Sequence, residues 1–314
     1  MLIMENNREE YISFETIRTL ALEQDFCDVG AAKVKDVDIS FLNTWLEKGF
    51  HASMSYMENN KDLRQNPNLL VPYAKTIICF LLSYNDERAD TNSNLKIASY
   101  AQRKDYHYVI KGKLNNIIST LKSLNPNIEA IAFTDSAPVL ERYWAEQCDL
   151  GWKGKNSLLV TKNYGSKVFI GEMLCNFSTD YATQQEQQHC GSCTRCIDAC
   201  PNKAISSNGE IDCNRCISYQ TIENKGTIPN NIDTKNYIYG CDLCLEACPW
   251  NNKAIKTVYQ DLEVKELIAD VLKKIQNNTF EKSDFNKLKK LSPINRIKYE
   301  KFLDNIQHAK TNPF

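Results

Sequence analysis

The chain has almost no net charge: 38 Lys and Arg stand against 39 Asp and Glu, leaving -1. Global charge therefore advertises no nucleic-acid partner, and a phosphate backbone would have to be met by a local basic patch. Long hydrophobic runs are missing too. The most apolar stretch, Leu69 to Tyr84, is broken by Pro72 and Lys75 and is too short to span a bilayer. The start, Met1-Leu-Ile-Met-Glu-Asn-Asn, has no apolar core of a signal peptide, and no twin-arginine signal is present. The expectation is a cytoplasmic monomer with no membrane partner. No G-x-G-x-x-G follows a strand, and Gly154-Lys155 lacks the earlier glycine of a P-loop, so neither a Rossmann nor a P-loop nucleotide site is supported. There is no repeat array and no low-complexity tail.

Cysteine is abundant, with 13 in 314 residues. In a reducing compartment such cysteines mean metal or catalysis rather than disulfides. Seven lie in two runs, Cys190-Gly-Ser-Cys193-Thr-Arg-Cys196-Ile-Asp-Ala-Cys200-Pro201 and Cys241-Asp-Leu-Cys244-Leu-Glu-Ala-Cys248-Pro249. The first is the full C-x2-C-x2-C-x3-C-P spacing of a bacterial two-cluster ferredoxin, and the second lacks its first cysteine, with Ile238 in that place. In that pattern the last cysteine of each run serves the other run's cluster. One [4Fe-4S] cluster is then expected on Cys190, Cys193, Cys196 and Cys248, and a second on Cys200, Cys241, Cys244 and either Cys213 or Cys216. Zinc is the bland alternative for paired cysteines, but the x2-x2-x3-Pro order fits it poorly. Cys27, Cys79, Cys148 and Cys175 sit in apolar contexts and read as small buried residues.

Periodicity predicts helices over residues 8–24, 38–49, 105–124 and from Pro138 to about Leu150. It predicts strands over 75–84 and 128–133, and a β-hairpin over 156–175 turning at Tyr164-Gly165-Ser166. The fold expected is an α/β (α+β) domain over 1–183, a ferredoxin-like module over 184–256 and a helical, Lys-rich segment over 257–314, entered through a glutamine-rich linker at 183–189. About 180 residues before the clusters imply that the electrons have a destination inside the protein. Candidate signals there are Asp105-Tyr-His107, Asp135-Ser-Ala-Pro-Val-Leu-Glu-Arg142, Gly151-Trp-Lys-Gly-Lys-Asn156 and Gly165 to Glu172. Asp135 stands at a strand end, where ligand clefts open. On spacing alone it reads more readily as the N-cap of the helix that follows.

Taken together, Lys104-Asp-Tyr-His107, Asp135 to Arg142, Gly151 to Asn156, Cys190 to Pro201, Arg215-Cys-Ile-Ser-Tyr219 with Thr221-Ile-Glu223, and Tyr239 to Asn251 resemble the epoxyqueuosine reductase family over nearly the whole chain. The resemblance implies an oxidoreductase that converts epoxyqueuosine to queuosine at the wobble position of the tRNA anticodon loop, the last step of queuosine biosynthesis. It implies cobalamin, resting as cob(II)alamin, two [4Fe-4S] clusters and an external low-potential electron donor. It assigns the eighth thiolate to Cys216, the proton donor to Asp135, and corrinoid contacts to Arg64, Arg142, Lys155, Asn156, Leu159 and Ile170. Members with a C-terminal HEAT-like repeat run on past the position of Phe314, so the expectation is a short form. Lys282, Lys287, Lys289, Lys290, Arg296, Lys298 and Lys301 are the candidate phosphate contacts, against a plain solvated helix face. The competing readings are a reductive dehalogenase-like corrinoid enzyme, a non-catalytic electron carrier and an iron–sulfur RNA-binding module.

Overall fold

A computed structural model describes residues 10–86, 93–181, 186–257 and 264–311. The predicted helix start at 8–9, the linker at 183–185 with the boundary at 183 and 184, and the segment 258–263 lie outside the described residues. Ser13 caps α1 (Phe14–Glu23) by accepting the Thr16 N–H on its hydroxyl. Next come β1 (Asp28–Lys33), α2 (Ser40–Glu47), α3 (Lys61–Gln65), β2 (Thr76–Ser83), the two-residue β3 (Lys96–Ile97) and the long α4 (Tyr106–Leu124). β4 (Ala130–Phe133), α5 (Glu141–Gln147), β5 (Trp152–Lys153), β6 (Leu159–Val160) and β7 (Val168–Cys175) complete the first region. The cysteine-rich stretch carries α6 (Arg195–Asp198), a 3-10 turn at Cys213–Arg215, α7 (Ile217–Ile222), β8 (Tyr237–Tyr239), α8 (Leu243–Glu246) and α9 (Pro249–Asn252). Elements this short are what a metal-organised module needs, since ligation replaces a core. α10 (Lys265–Gln276), α11 (Lys282–Leu291) and α12 (Tyr299–Thr311) close the chain.

The main sheet runs in the order β1-β2-β7-β4, and every pair in it is antiparallel. The architecture is therefore α+β, and no parallel strand end creates the cleft that a doubly wound sheet would have. Helices cover both faces. Ile78, Phe80, Leu82, Met173 and Cys175 face α1 and α4, while Ile77, Cys79, Leu81 and Leu174 face the side of α2 and α5. With both faces covered, β2 and β7 read as continuous apolar runs.

The hairpin expected over 156–175 does not form. β6 pairs back onto β5 across the turn at Gly154–Leu158, and β7 leaves to fill the sheet between β2 and β4. The turn at Gly165 is real but serves another partner. Gly165 has φ of +63°, and a Cβ there would stand 2.2 Å from Asn251 Oδ1, which instead accepts the Ser166 N–H at 2.7 Å. The first region is thus latched to the segment after Cys248. Helix α5 also starts three residues later than Pro138, because the chain first turns at Ala137–Val139.

A third core joins the ends of the molecule. Leu95, Ile97 and Ala101 pack with Ile238, Tyr239 and the apolar faces of α10, α11 and α12. β3 pairs with β8, Ser292 Oγ donates to Ala101 O at 2.6 Å, and Asn305 Nδ2 donates to Thr221 O and Ile238 O at 2.8 and 3.0 Å. Ile238, in the place of a missing ligand cysteine, is a buried member of β8. Among the described residues no helix is long and apolar enough to cross a membrane.

Candidate functional site

Thr134 fixes the exit from β4 by donating from Oγ1 to Ile170 O on β7 at 2.8 Å. Asp135 then adopts φ of +49°, a left-handed conformation that aspartate tolerates better than most residues. Two contacts hold it there. Its N–H donates to Glu141 Oε1 at 2.6 Å, and the Tyr106 hydroxyl donates to its Oδ2. The carboxyl remains 48% exposed. Asp135 does not cap α5: Leu140 holds the cap position, without a side-chain bond.

The Asp105-Tyr106-His107 segment builds the other wall. Asp105 caps α4 by accepting the His107 N–H at 3.1 Å, and it also contacts His107 Nδ1 at 2.6 Å and accepts from Asn295 Nδ2 at 2.7 Å. Burial alone would raise the Asp105 carboxyl, but bonding and charge from His107, with Asn295, outweigh it and hold the group below its usual range. Tyr106 stacks between Phe169, at 4.2 Å and 10°, and His107, at 4.1 Å. Burial, then the Asp135 charge, pushes its phenol far up, so it keeps the proton it donates to Asp135. His107 Nε2 stands 3.8 Å from Asp135 Oδ2.

Behind this loop lie two carboxyls to which the sequence motifs attached no role. Glu172, on β7 opposite Cys79 and Phe133, is wholly buried, and neither of its oxygens has a hydrogen-bond partner among the described residues. Desolvation, with Asp135 and Cys148 nearby, pushes it well above the usual carboxyl value; desolvation, Glu172 and Asp135 do the same to Glu141. A charged residue inside the apolar run Val168–Cys175 was the signal available in the sequence.

The expected corrinoid residues fall into two kinds. Leu159 is buried in the α5-side core, and Ile170 packs against its edge. Asn156 is buried, and its Nδ2 has no partner among the described residues. Arg142 donates from Nη1 to Ser157 O at 2.5 Å. Arg64 is buried and committed to backbone, donating to Asn59 O at 2.5 Å and Tyr56 O at 3.2 Å. Lys155 reaches away, donating from Nζ to Gly191 O at 2.7 Å and Cys193 O at 3.1 Å, and so ties the 151–156 turn to the first cysteine loop.

The cysteines gather in two groups. Cys190, Cys193, Cys196 and Cys248 neighbour one another, and Cys190, Cys193 and Pro249 line an open hollow of about 620 Å³. Cys200, Cys216, Cys241 and Cys244 form the second set, with Cys196 near enough to act on Cys244. Cys213 neighbours Cys216, and its backbone N–H is held by Phe50 O at 2.8 Å. Of the four remaining cysteines, Cys79, Cys148 and Cys175 are buried, and Cys27 is half-buried. The basic helices differ from expectation at one position. Lys301 is buried and donates to Gly226 O at 2.7 Å, and burial lowers its ammonium to about 8, so it is turned inward and offers nothing to a phosphate. Arg296 is paired with Glu223 at 2.9 Å, whereas Lys282, Lys287, Lys289, Lys290 and Lys298 are exposed.

Two adjoining thiol sets, latched to an α+β domain with a carboxyl on a strained loop, define an iron–sulfur oxidoreductase. Residues 189–251 match the family model described as a 4Fe-4S double cluster binding domain, and residues 64–136 match that described as epoxyqueuosine reductase QueG, DUF1730. The epoxyqueuosine reductase of Cyclobacterium marinum is 39% identical over 290 residues, covering 91% of this chain and 92% of the relative. The solved epoxyqueuosine reductase of Streptococcus thermophilus superposes with a TM-score of 0.83 at 26% identity, covering 95% of this chain and 80% of that one. A crystal structure of an epoxyqueuosine reductase with an epoxyqueuosine-modified tRNA stem loop gives 0.72 at 27%, over 94% and 81%. The chain belongs to the epoxyqueuosine reductase family.

Proposed function

We propose that this chain reduces epoxyqueuosine at the wobble position of tRNA to queuosine, with cobalamin bound beside Asp135 and two [4Fe-4S] clusters feeding it from a low-potential donor. The observation that carries the reading is Asp135 itself, half-exposed on a left-handed loop and held by Tyr106 and Glu141. The surrounding residues fit a corrinoid. The buried Asn156 Nδ2 has a donor to offer a polar edge, and Leu159 and Ile170 offer apolar surface. Arg142 and the backbone near Lys155 and Arg64 would complete the hold. When bound, cobalamin supplies the reductive chemistry at carbon that no side chain can.

The protein's own part is proton delivery and orientation. Asp135 protonates the departing epoxide oxygen, and Tyr106 aims its carboxyl. Clusters held on Cys190, Cys193, Cys196 and Cys248 and on Cys200, Cys216, Cys241 and Cys244 would supply the electrons when bound. In this reading residues 1–183 bind the corrinoid, 184–256 hold the clusters, and 257–314 present the exposed lysines to the stem backbone. The modified base must leave its stack to reach the site. The test is anaerobic turnover of epoxyqueuosine-bearing tRNA, followed by nucleoside mass spectrometry. Cobalamin-dependent loss of one oxygen mass is expected. Asp135→Asn should keep bound corrinoid, seen by its visible absorption, and lose turnover. Unchanged turnover removes Asp135 from the acid role.

A further inference from the structure

Reaching the wobble nucleoside means lifting it out of the anticodon stack, so the base beside it loses a stacking partner as the site fills. An exposed aromatic ring at the site mouth offsets that loss, because every base has a π-face. Tyr108 is such a ring. It is 74% exposed, more than any other large apolar side chain among the described residues. It directly follows Tyr106 and His107, the two residues that reach the Asp135 carboxyl.

The helix around Tyr108 is open. Tyr108 and Lys111 are three residues apart and share the outer face of α4, while Lys104 stands just before the Asp105 cap. All three are exposed, and neither lysine has an ion-pair partner among the described residues. Gly112 lies on the same face, four residues after Tyr108. A glycine inside a helix weakens it relative to alanine. Packing gives no reason for this one, since nothing stands within 4 Å of where its Cβ would be. A helical side chain leans back over the turn before it, so a larger residue at 112 would lie against the Tyr108 ring. Glycine leaves that ground clear. The C-terminal helices complete the surface. The Asp105 N–H donates to Leu291 O at 2.8 Å, and Asn295 Nδ2 donates to Asp105 Oδ2 at 2.7 Å. These bonds set the exposed Lys290 and Leu291 beside the start of α4.

We propose that Tyr108 is a stacking platform for the anticodon-loop base next to the wobble nucleotide, with the gap at Gly112 receiving the edge of that base and Lys104 and Lys111 meeting its phosphates. The inference deepens the tRNA reading stated above and rests on it.

The test is binding of a fluorescein-labelled anticodon stem-loop carrying epoxyqueuosine to the full-length, cluster-containing protein, followed by fluorescence anisotropy over a salt series. Tyr108→Ala should raise Kd about 5- to 150-fold, the range for one base stacked on an aromatic ring, and leave the slope of log Kd against log salt unchanged. Lys104→Ala and Lys111→Ala should instead each lower that slope by about 0.7, as for one single-strand phosphate. Tyr108→Phe keeps the ring and should bind as wild type does. Gly112→Leu should raise the melting temperature, because glycine leaves the helix, and yet weaken binding about fivefold or more. A stem duplex without the loop should bind wild type and Tyr108→Ala alike. A Tyr108→Ala Kd within about twofold of wild type, Tyr108→Phe as weak as Tyr108→Ala, full-strength binding by Gly112→Leu, or an equal loss on the duplex overturns the platform and leaves the tRNA reading standing. A wild-type protein that does not bind the stem-loop overturns both.

Discussion

Tyr106→Phe is the most direct probe of how the Asp135 loop is held. The substitution removes only the hydroxyl. The ring still stacks on Phe169 and His107, and α4 keeps its Asp105 cap. A hydrogen bond contributes about 0.5–1.5 kcal/mol between neutral groups and about 1.5–3 kcal/mol to a charged acceptor, and because Asp135 is 48% exposed, water takes part of that role in the variant. About 1–2 kcal/mol is the expected loss, a factor of roughly 5–30 in the ratio of aimed to unaimed carboxyl. The left-handed backbone of Asp135 works in the same direction, since it costs about 1–2 kcal/mol that the two contacts offset. With only the Glu141 bond left, the loop should leave its working position for much of the time. Single-turnover kinetics should show the rate constant falling by about 5–30-fold with the tRNA KM unchanged. The melting temperature should barely move, because no apolar contact is lost. Tyr106→Phe combined with Asp135→Asn should be no slower than Asp135→Asn alone, because both act on one group. A Tyr106→Phe rate within about twofold of wild type would refute the positioning role, since even a weak bond of this type exceeds that.

Two further changes separate structural roles. Cys216→Ser should halve the iron and sulfide content by removing a ligand of the second cluster, whereas Cys213→Ser should retain both clusters; equal losses in the two variants, measured by iron and sulfide assay, would reverse that assignment. Gly165→Ala places a Cβ 2.2 Å from Asn251 Oδ1 at φ of +63°. It should cost about 1–2 kcal/mol for the left-handed backbone and about 1 kcal/mol more for the broken Ser166–Asn251 bond. Thermal melts followed at the cluster absorption would show it, and an unshifted transition would exclude the latch.

Chemistry that depends on spacing along one chain was legible in the residues alone. The C-x2-C-x2-C-x3-C-P run, the strand 75–84 and the amphipathic helix 105–124 are local patterns, and each appears close to its expected limits. Spacing left the eighth thiolate open between two positions, and family resemblance is what points to Cys216. Whatever depends on partners distant in sequence waited for the folded chain. β7 left its expected hairpin because both its faces could be buried at the sheet centre, and the antiparallel order of that sheet follows from pairings no short window encodes. Lys301 looked like a surface charge until α12 packed it over Gly226. Asp135 looked like a helix cap until the backbone turned left-handed and carried it to Tyr106, 29 residues earlier. Glu172 became an isolated, proton-holding carboxyl only when helix and sheet closed around it. Burial and the removal of water are properties of the folded whole, and they turn an ordinary glutamate in an apolar run into a group with chemistry.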